Sequence, residues 1–260
     1  MRIVIITQEE TFYLPTFLRI FLHGRSTDVM GITIMPATMP KKGWRATLRE
    51  HFALFGLRTF VYQSVRFCLY RLGDLAGRRL PLPSFFSVRA VAQHFRILLL
   101  PTHNINSAEY LAQLRALAPD LIISINAPQI FRRRLLELPR LGCINVHGAL
   151  LPKYRGRLPS FWVLLNGEKE TGVTVHFMNQ HLDDGPIILQ RPVPIAARDT
   201  QHSLLMKTKQ LGAQLLLEAI EQLEWGEVKL KVNAQEQATC YAFPTPEDGR
   251  RFRQLGLRFI

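Results

Sequence analysis

Short apolar runs, rich in β-branched residues, recur along the first half of the chain with helical spacing between them. "RIVIIT" (Arg2–Thr7), "VMGITIM" (Val29–Met35), "RILLLPT" (Arg96–Thr102), "DLIISI" (Asp120–Ile125) and "GCINVH" (Gly142–His147) carry apolar residues at consecutive rather than alternate positions. A strand that is apolar on both faces must be covered on both faces, which is the condition of a parallel strand inside an α/β sheet. The stretches 11–23, 107–118 and 132–138 space their apolar residues as helices do, and Ser107 is placed to cap the second. This alternation predicts a doubly wound, mostly parallel α/β sheet.

The pattern then changes. "TGVTVHFM" (171–178) alternates, "NQHLDDGP" (179–186) is rich in turn residues, and "IILQRPVPI" (187–195) follows. Together they predict an antiparallel strand pair. Thr200–Trp225 predicts a long amphipathic helix, with Thr200 and Ser203 at its start and Gly226 at its end. The remaining tail reads as a strand and a short basic helix. The expected division is a catalytic domain over 1–205, with a basic helical insertion at about 41–95, followed by a C-terminal helix and short appendage over 206–260.

Charge narrows the choice of partner. The 33 Lys and Arg outweigh 20 Asp and Glu, for a net charge of +13. Such a chain suits a nucleotide, a tRNA or a membrane surface. Residues 41–96 concentrate the excess, with eleven basic side chains against Glu50 and Asp74. Within that segment Trp44, Leu48, Phe52 and Phe55 recur at helical spacing between arginines. This predicts an amphipathic helix or helix pair packed on the domain; the alternative is a surface for phosphates, tRNA or anionic lipid. Cys68, Cys143 and Cys240 are scattered, without CxxC or Cys/His ligand spacing, so neither a metal site nor a disulfide framework is expected. The start "MRIVIITQEE" lacks signal-peptide features and no apolar stretch has the length of a membrane span, so a cytoplasmic location is expected.

The chemistry-bearing residues gather around "CINVH". Successive strand side chains alternate in face, so Asn145 and His147 share one side at the C-terminal end of a strand. Ligands of open α/β sheets bind at that edge. An Asn amide can hold a carbonyl oxygen as it becomes an oxyanion, and a His can donate to it or take a proton.

The segment that follows, "GALLPKYRG" (148–156), resembles the HPSLLPxYRG loop of the 10-formyltetrahydrofolate-dependent formyltransferases. That family includes methionyl-tRNA, glycinamide ribonucleotide and sugar N-formyltransferases. The resemblance continues through "LPSFWVLLNGEKETGVTVHFM" (158–178) and "HLDDGPIILQ" (181–190), and covers about residues 121–200. It implies a Rossmann-like formyltransferase fold, 10-formyltetrahydrofolate as co-substrate without a metal, and a catalytic set of Asn145, His147 and Asp183. In the family pattern the catalytic Asp precedes a variable residue and a Gly. Asp184 is then the variable residue, expected to point to solvent.

The resemblance also implies a donor pocket between "INAPQIF" (125–131) and the 179–183 loop. Ala127, Gln129, Phe131, Leu151, Asn179 and Leu182 are its candidates, and Ile130 could line it. His176 shares a strand face with Thr174; it either approaches this site or is a satisfied structural His. Gln8, Glu9 and Tyr13 of the first loop, with Tyr154 and Arg155, are the candidates for binding the acceptor, although Glu9 and Glu10 equally suit a helix N-terminus. That loop has neither GxGxxG nor a Gly/Ser/Asn-rich phosphate cradle, which argues against glycinamide ribonucleotide. The 226–260 tail has no room for the full C-terminal β-barrel of methionyl-tRNA formyltransferases. An amino-sugar nucleotide is therefore the expected acceptor, with tRNA as the alternative because of the basic segment. Hydrolysis of the formyl donor, and a non-catalytic relative making peripheral membrane contact, are the remaining readings.

Overall fold

The computed structural model describes residues 1–36, 43–77 and 86–260. Lys41, Lys42, Arg78 and Arg79 of the basic segment lie outside the described residues. In chain order the elements are β1 (Ile3–Gln8), α1 (Leu14–Arg25), β2 (Val29–Met35), α2 (Gly43–Phe55), α3 (Leu57–Gly77), α4 (Val88–His94), α5 (Ala108–Leu117), β3 (Leu121–Ile125), α6 (Arg133–Leu136), β4 (Cys143–His147), β5 (Arg155–Gly156), α7 (Pro159–Leu165), β6 (Glu170–Phe177), β7 (Ile187–Pro194), α8 (Gln201–Trp225), β8 (Cys240–Tyr241) and α9 (Pro246–Gln254).

Six strands form one sheet in the order β2-β1-β3-β4-β6-β7. The first four are parallel, whereas β6 runs antiparallel to both β4 and β7. The apolar runs account for this arrangement. Ile3 and Ile5 of β1 enter a core roofed by Phe17, Leu18 and Phe21 of α1 and Leu216 and Ala219 of α8. Val4 and Ile6 face the other way, into a second core with Tyr110, Leu111 and Leu114 of α5. Both faces are covered, as consecutive apolar positions require. The expected 171–178/187–195 pair is present as β6 and β7. The strand order reverses between β1 and β3, which makes their C-terminal ends the crevice where such sheets bind ligands.

Local chemistry sets the helix ends. The Glu10 carboxylate accepts from the backbone N–H groups of Phe12, Tyr13 and Leu14 at 2.7–2.8 Å, so α1 starts at Leu14, later than the apolar spacing suggests. Thr200 and Ser203 form a reciprocal capping box on α8, and Gly226 closes it in the left-handed region.

The strand expected at Arg96–Thr102 is reduced to one bridge, Leu99 beside Ile32, with Leu100 donating to the Ile32 carbonyl at 2.9 Å. Leu98 is exposed and Pro101 has no N–H to donate, so pairing stops at the sheet edge. The helix expected at 132–138 shortens to the single turn of α6 ahead of Pro139. Among its described residues the basic segment forms α2, α3 and α4, with α2 and α3 joined at Gly56, where φ is +76°. The boundary expected at 205 falls inside α8, which packs on α1, β4, β6 and β7.

The tail returns to the body. β8 pairs in parallel with β5, and α9 sits against α2. Phe252 of α9 is fully buried, stacked 4.8 Å from Phe161 and tilted against Phe259 at 4.6 Å. Because this core is the anchor of the tail, Phe252→Ala is expected to cost about 3 kcal/mol, the usual range for emptying a buried phenyl site. A urea titration followed by circular dichroism measures it; a change below about 1 kcal/mol would show that the tail is held by other means.

Candidate active site

Ile144 and Val146 of β4 enter the α1/α8 core, so Asn145 and His147 share the opposite side. The antiparallel register then sets His176 across from Asn145 and Thr174 across from His147. Asp183 arrives from the loop between β6 and β7, held at a φ of +49°. Its Oδ2 lies 3.5 Å from His147 Nδ1 and accepts from the Gly156 N–H at 2.8 Å. Its Oδ1 accepts from Asn145 Nδ2 at 3.4 Å and lies 3.7 Å from His176 Nε2. Three side chains from two distant stretches therefore meet, with a second histidine behind them.

Proton positions follow from the partners. His147 Nε2–H donates to the Tyr154 carbonyl at 2.8 Å, leaving Nδ1 to face Asp183. The full ion pair with that carboxylate forms when Nδ1 is protonated too. His176 is 2% exposed, and burial lowers its pKa well below the usual histidine value, with Asp183 opposing. It is thus neutral near pH 7. Its Nδ1–H donates to the Phe177 carbonyl at 2.7 Å, so Nε2 is a lone pair accepting from Asn145 Nδ2 at 3.2 Å. These two acceptors fix the Asn145 amide with its NH2 toward Asp183; the opposite flip would set oxygen against carboxylate.

The flanking backbone is braced from several directions. Thr174 Oγ1 donates to the Ala149 carbonyl at 2.7 Å and accepts from the Leu151 N–H and from Gln190. Asp184 is not turned to solvent, as the sequence suggested, but is buried against Arg155 at 2.8 Å and accepts from Asn179 Nδ2 at 3.1 Å and from Gln235. Arg155 also donates to Asn233 Oδ1 at 2.8 Å and Gln235 Oε1 at 3.0 Å. Asn233 Nδ2 in turn donates to the carbonyls of Asp183 and Gly185. Two glycines allow this closeness. A Cβ at Gly185 would stand 1.9 Å from the Phe177 carbonyl oxygen, and one at Gly156, where φ is +96°, 2.2 Å from that of Tyr241.

Arg155 is therefore a strut between the β6–β7 loop and the tail. The Tyr154 side chain is likewise turned away: its hydroxyl donates to Glu168 at 2.6 Å, and its ring stacks on Tyr241 at 5.4 Å. Burial and Glu168 push its phenol upward, so it stays protonated. In the first loop, Glu9 accepts from the Val88 N–H at 2.8 Å and caps α4, and burial raises its carboxyl. The Tyr13 hydroxyl meets His202 Nδ1 at 2.8 Å. Gln8 ends β1, half-buried, at the C-terminal edge.

The donor-pocket candidates divide similarly. Ser124 of β3 lies beside Asn145, so the segment from Asn126 onward leaves the sheet level with His147. Ala127 is half-buried there, and Gln129 bridges the Ile105 N–H and the His103 carbonyl. Phe131 and Leu151 are core residues, and the Asn179 Oδ1 accepts from the His181 N–H. Leu182 and Ile130 are exposed apolar side chains, 56% and 73%. The sequence reading passed over Lys209 of α8. Its ammonium donates to Asn126 Oδ1 at 2.8 Å in the β1/β3 crevice, and burial lowers its pKa to about 8, with Glu10 opposing. A single lysine at helical spacing carries no signal of such a position. Among the described residues, no group of three or more His, Cys, Asp or Glu side chains could hold a metal ion.

Residues 87–220 match the family model described as formyl transferase. A methionyl-tRNA formyltransferase of Citrifermentans bemidjiense is 42% identical over 163 residues, covering 62% of this chain and 51% of that protein. One from Thermotoga maritima is 39% identical over 161 residues, covering 62% and 51%. The chain thus spans about half the length of the curated relatives it matches. Among solved structures, a phosphoribosylglycinamide formyltransferase from Anaplasma phagocytophilum superposes with a TM-score of 0.62 at 17% identity, over 94% of this chain and 99% of that one. A sugar N-formyltransferase from a Shewanella species gives 0.58 at 20% identity, over 94% and 77%. These structural likenesses establish a shared fold, and the family match covers the strands, loops and α8 residues that build the site. The chain belongs to the formyl transferase family.

Proposed function

We propose that this chain transfers a formyl group from 10-formyltetrahydrofolate to a primary amine. The observation that carries the reading is the meeting of the Asp183 carboxylate with Asn145 at 3.4 Å and His147 at 3.5 Å. The amine nitrogen attacks the formyl carbon and forms the new C–N bond. The formyl oxygen takes the negative charge; the Asn145 NH2 donates to it, and a protonated His147, its two N–H groups held by the Tyr154 carbonyl and Asp183, stabilises it by charge. The 3.4 Å bond to Asp183 is the longer of the two the Asn145 amide makes, and is the one an oxyanion displaces. Asp183 receives the proton leaving the amine and passes it to N10 of the folate as the old C–N bond breaks. No covalent enzyme intermediate is needed, and holding amine and donor together supplies part of the acceleration. The exposed apolar side chains of Leu182 and Ile130 suit the flat ring of the donor.

Two acceptors follow from different observations. An amino-sugar nucleotide is favoured because residues 233–241 are engaged in bracing the catalytic loop, and because the first loop offers no glycine-rich phosphate cradle. Methionyl-tRNA is the second reading, carried by the sequence relatives and by the net charge of +13. A screen of amino-sugar nucleotides and methionyl-tRNA with 10-formyltetrahydrofolate, read as folate release with and without amine, tests both. Amine-independent release would replace the transferase with a hydrolase.

His147→Ala and Asp183→Ala are each expected to lower turnover on the order of 10³-fold, and Asn145→Ala about 10²-fold, with the fold retained by circular dichroism. Near-native turnover by either of the first two rejects the mechanism. Asp184→Asn breaks a buried ion pair and is expected to cost about 3 kcal/mol of stability. It should also lower kcat about tenfold at constant KM well below the melting temperature, since it loosens the loop that aims Asp183. A melt shift without a kcat change would confine Asp184 to a purely structural role.

A further inference from the structure

The outer face of α3 is apolar and has no partner among the described residues. Leu57, Val61, Val65, Leu69, Leu72 and Leu75 are 49–65% exposed, and they follow one another at gaps of three or four. Such gaps set them in a single stripe about 27 Å long. The opposite side of the helix is fixed to the body. Arg66 lies 4.7 Å over the Phe12 ring, Tyr70 packs on Phe12 and Phe86, and Asp74 accepts from Ser87 Oγ at 2.6 Å. The stripe is thus turned away from the domain by packing. At the Gly56 turn it continues onto α2, where Leu48 and Phe52 are also exposed and Phe52 meets Phe60 at 5.7 Å. Few soluble surfaces expose so long an apolar strip without an occupant.

Charge decides the occupant. Arg49, Arg58 and Arg71 are exposed on the same two helices. Asp74, the one acid in the α3 sequence, is held by Ser87 on the packed side. A second copy of this chain would bring a cationic face against a cationic face. A nucleic acid backbone would meet the arginines but leave the aliphatic side chains without a role. A bilayer with anionic headgroups satisfies both: the stripe enters the headgroup–acyl boundary, and the arginines reach outward to phosphate. No described helix is long and apolar enough to cross a membrane, which agrees with a helix lying on the surface.

We propose that α2 and α3 form an interfacial face that docks this protein on anionic membrane. On its packed side α3 touches the loop after β1 through Phe12 and His202 at the start of α8 through Arg66, so the same helix joins the outward face to the elements around the C-terminal edge.

Sedimentation of the full chain with phosphatidylcholine vesicles, with and without phosphatidylglycerol, tests the proposal. Binding is expected to the anionic vesicles and to fall in high salt. Val65→Asp with Leu72→Asp should reduce partitioning at least tenfold without moving the thermal melt. Arg58→Gln and Arg71→Gln should each reduce it roughly fivefold. Absence of binding, equal binding to both vesicles, or unaltered binding by all these variants overturns it. So does a concentration-dependent dimer that Val65→Asp with Leu72→Asp dissociates, which would assign the face to a second copy. Retention of tRNA that the same aspartates abolish, with no vesicle binding, would assign it to RNA.

Discussion

Two neighbouring carboxylates, Asp183 and Asp184, are taken almost wholly out of water, and the rest of the site is arranged to make that tolerable. Removing a carboxylate from solvent costs several kcal/mol unless hydrogen bonds and opposite charge replace the hydration. Asp184 finds Arg155, Asn179 and Gln235; Asp183 finds the Gly156 N–H, Asn145 and His147. These partners come from three parts of the chain. The compensation therefore ties the loop after β4, the β6–β7 loop and the tail into one unit. Had Arg155 faced a substrate, Asp184 would be stranded.

The central strands were legible because burial on both faces leaves no room for polar alternation, and no other element of five or six residues demands that. The same signal misled at 96–102. There the apolar residues serve packing beside β2, while Leu98 stays in solvent and Pro101 withholds a donor. Chain order alone could not show this, because an edge and a centre read alike over seven residues. Helix starts were displaced for a local reason: Glu10 caps α1 from outside its apolar pattern.

The site was legible in its motifs and less so in its side-chain directions. Asn145 and His147 sit where strand alternation puts them, and Asp183 reaches them. The side chains of Glu9, Tyr154 and Arg155 are engaged by partners 79, 14 and 80 residues away, which chain order does not reveal. A polar residue in a loop beside a cleft looks the same in a sequence whether it faces the cleft or a distant backbone amide. His176 was placed on the correct strand face; only the register with Asn145 shows that it supplies an acceptor to the amide.

The pairing of Tyr154 with Thr239, 85 residues further on, sets the moment at which the site takes its shape. A ribosome needs some ten seconds to make that much chain. In the later part of this interval, once Pro194 is made, all the strands from β1 to β7 exist, yet the segment that carries the Tyr154 carbonyl still lacks its clamp. Nascent protein should therefore pass through a state with a formed sheet and an unclamped 154–156 loop, which takes its final shape only once the 233–241 segment has emerged.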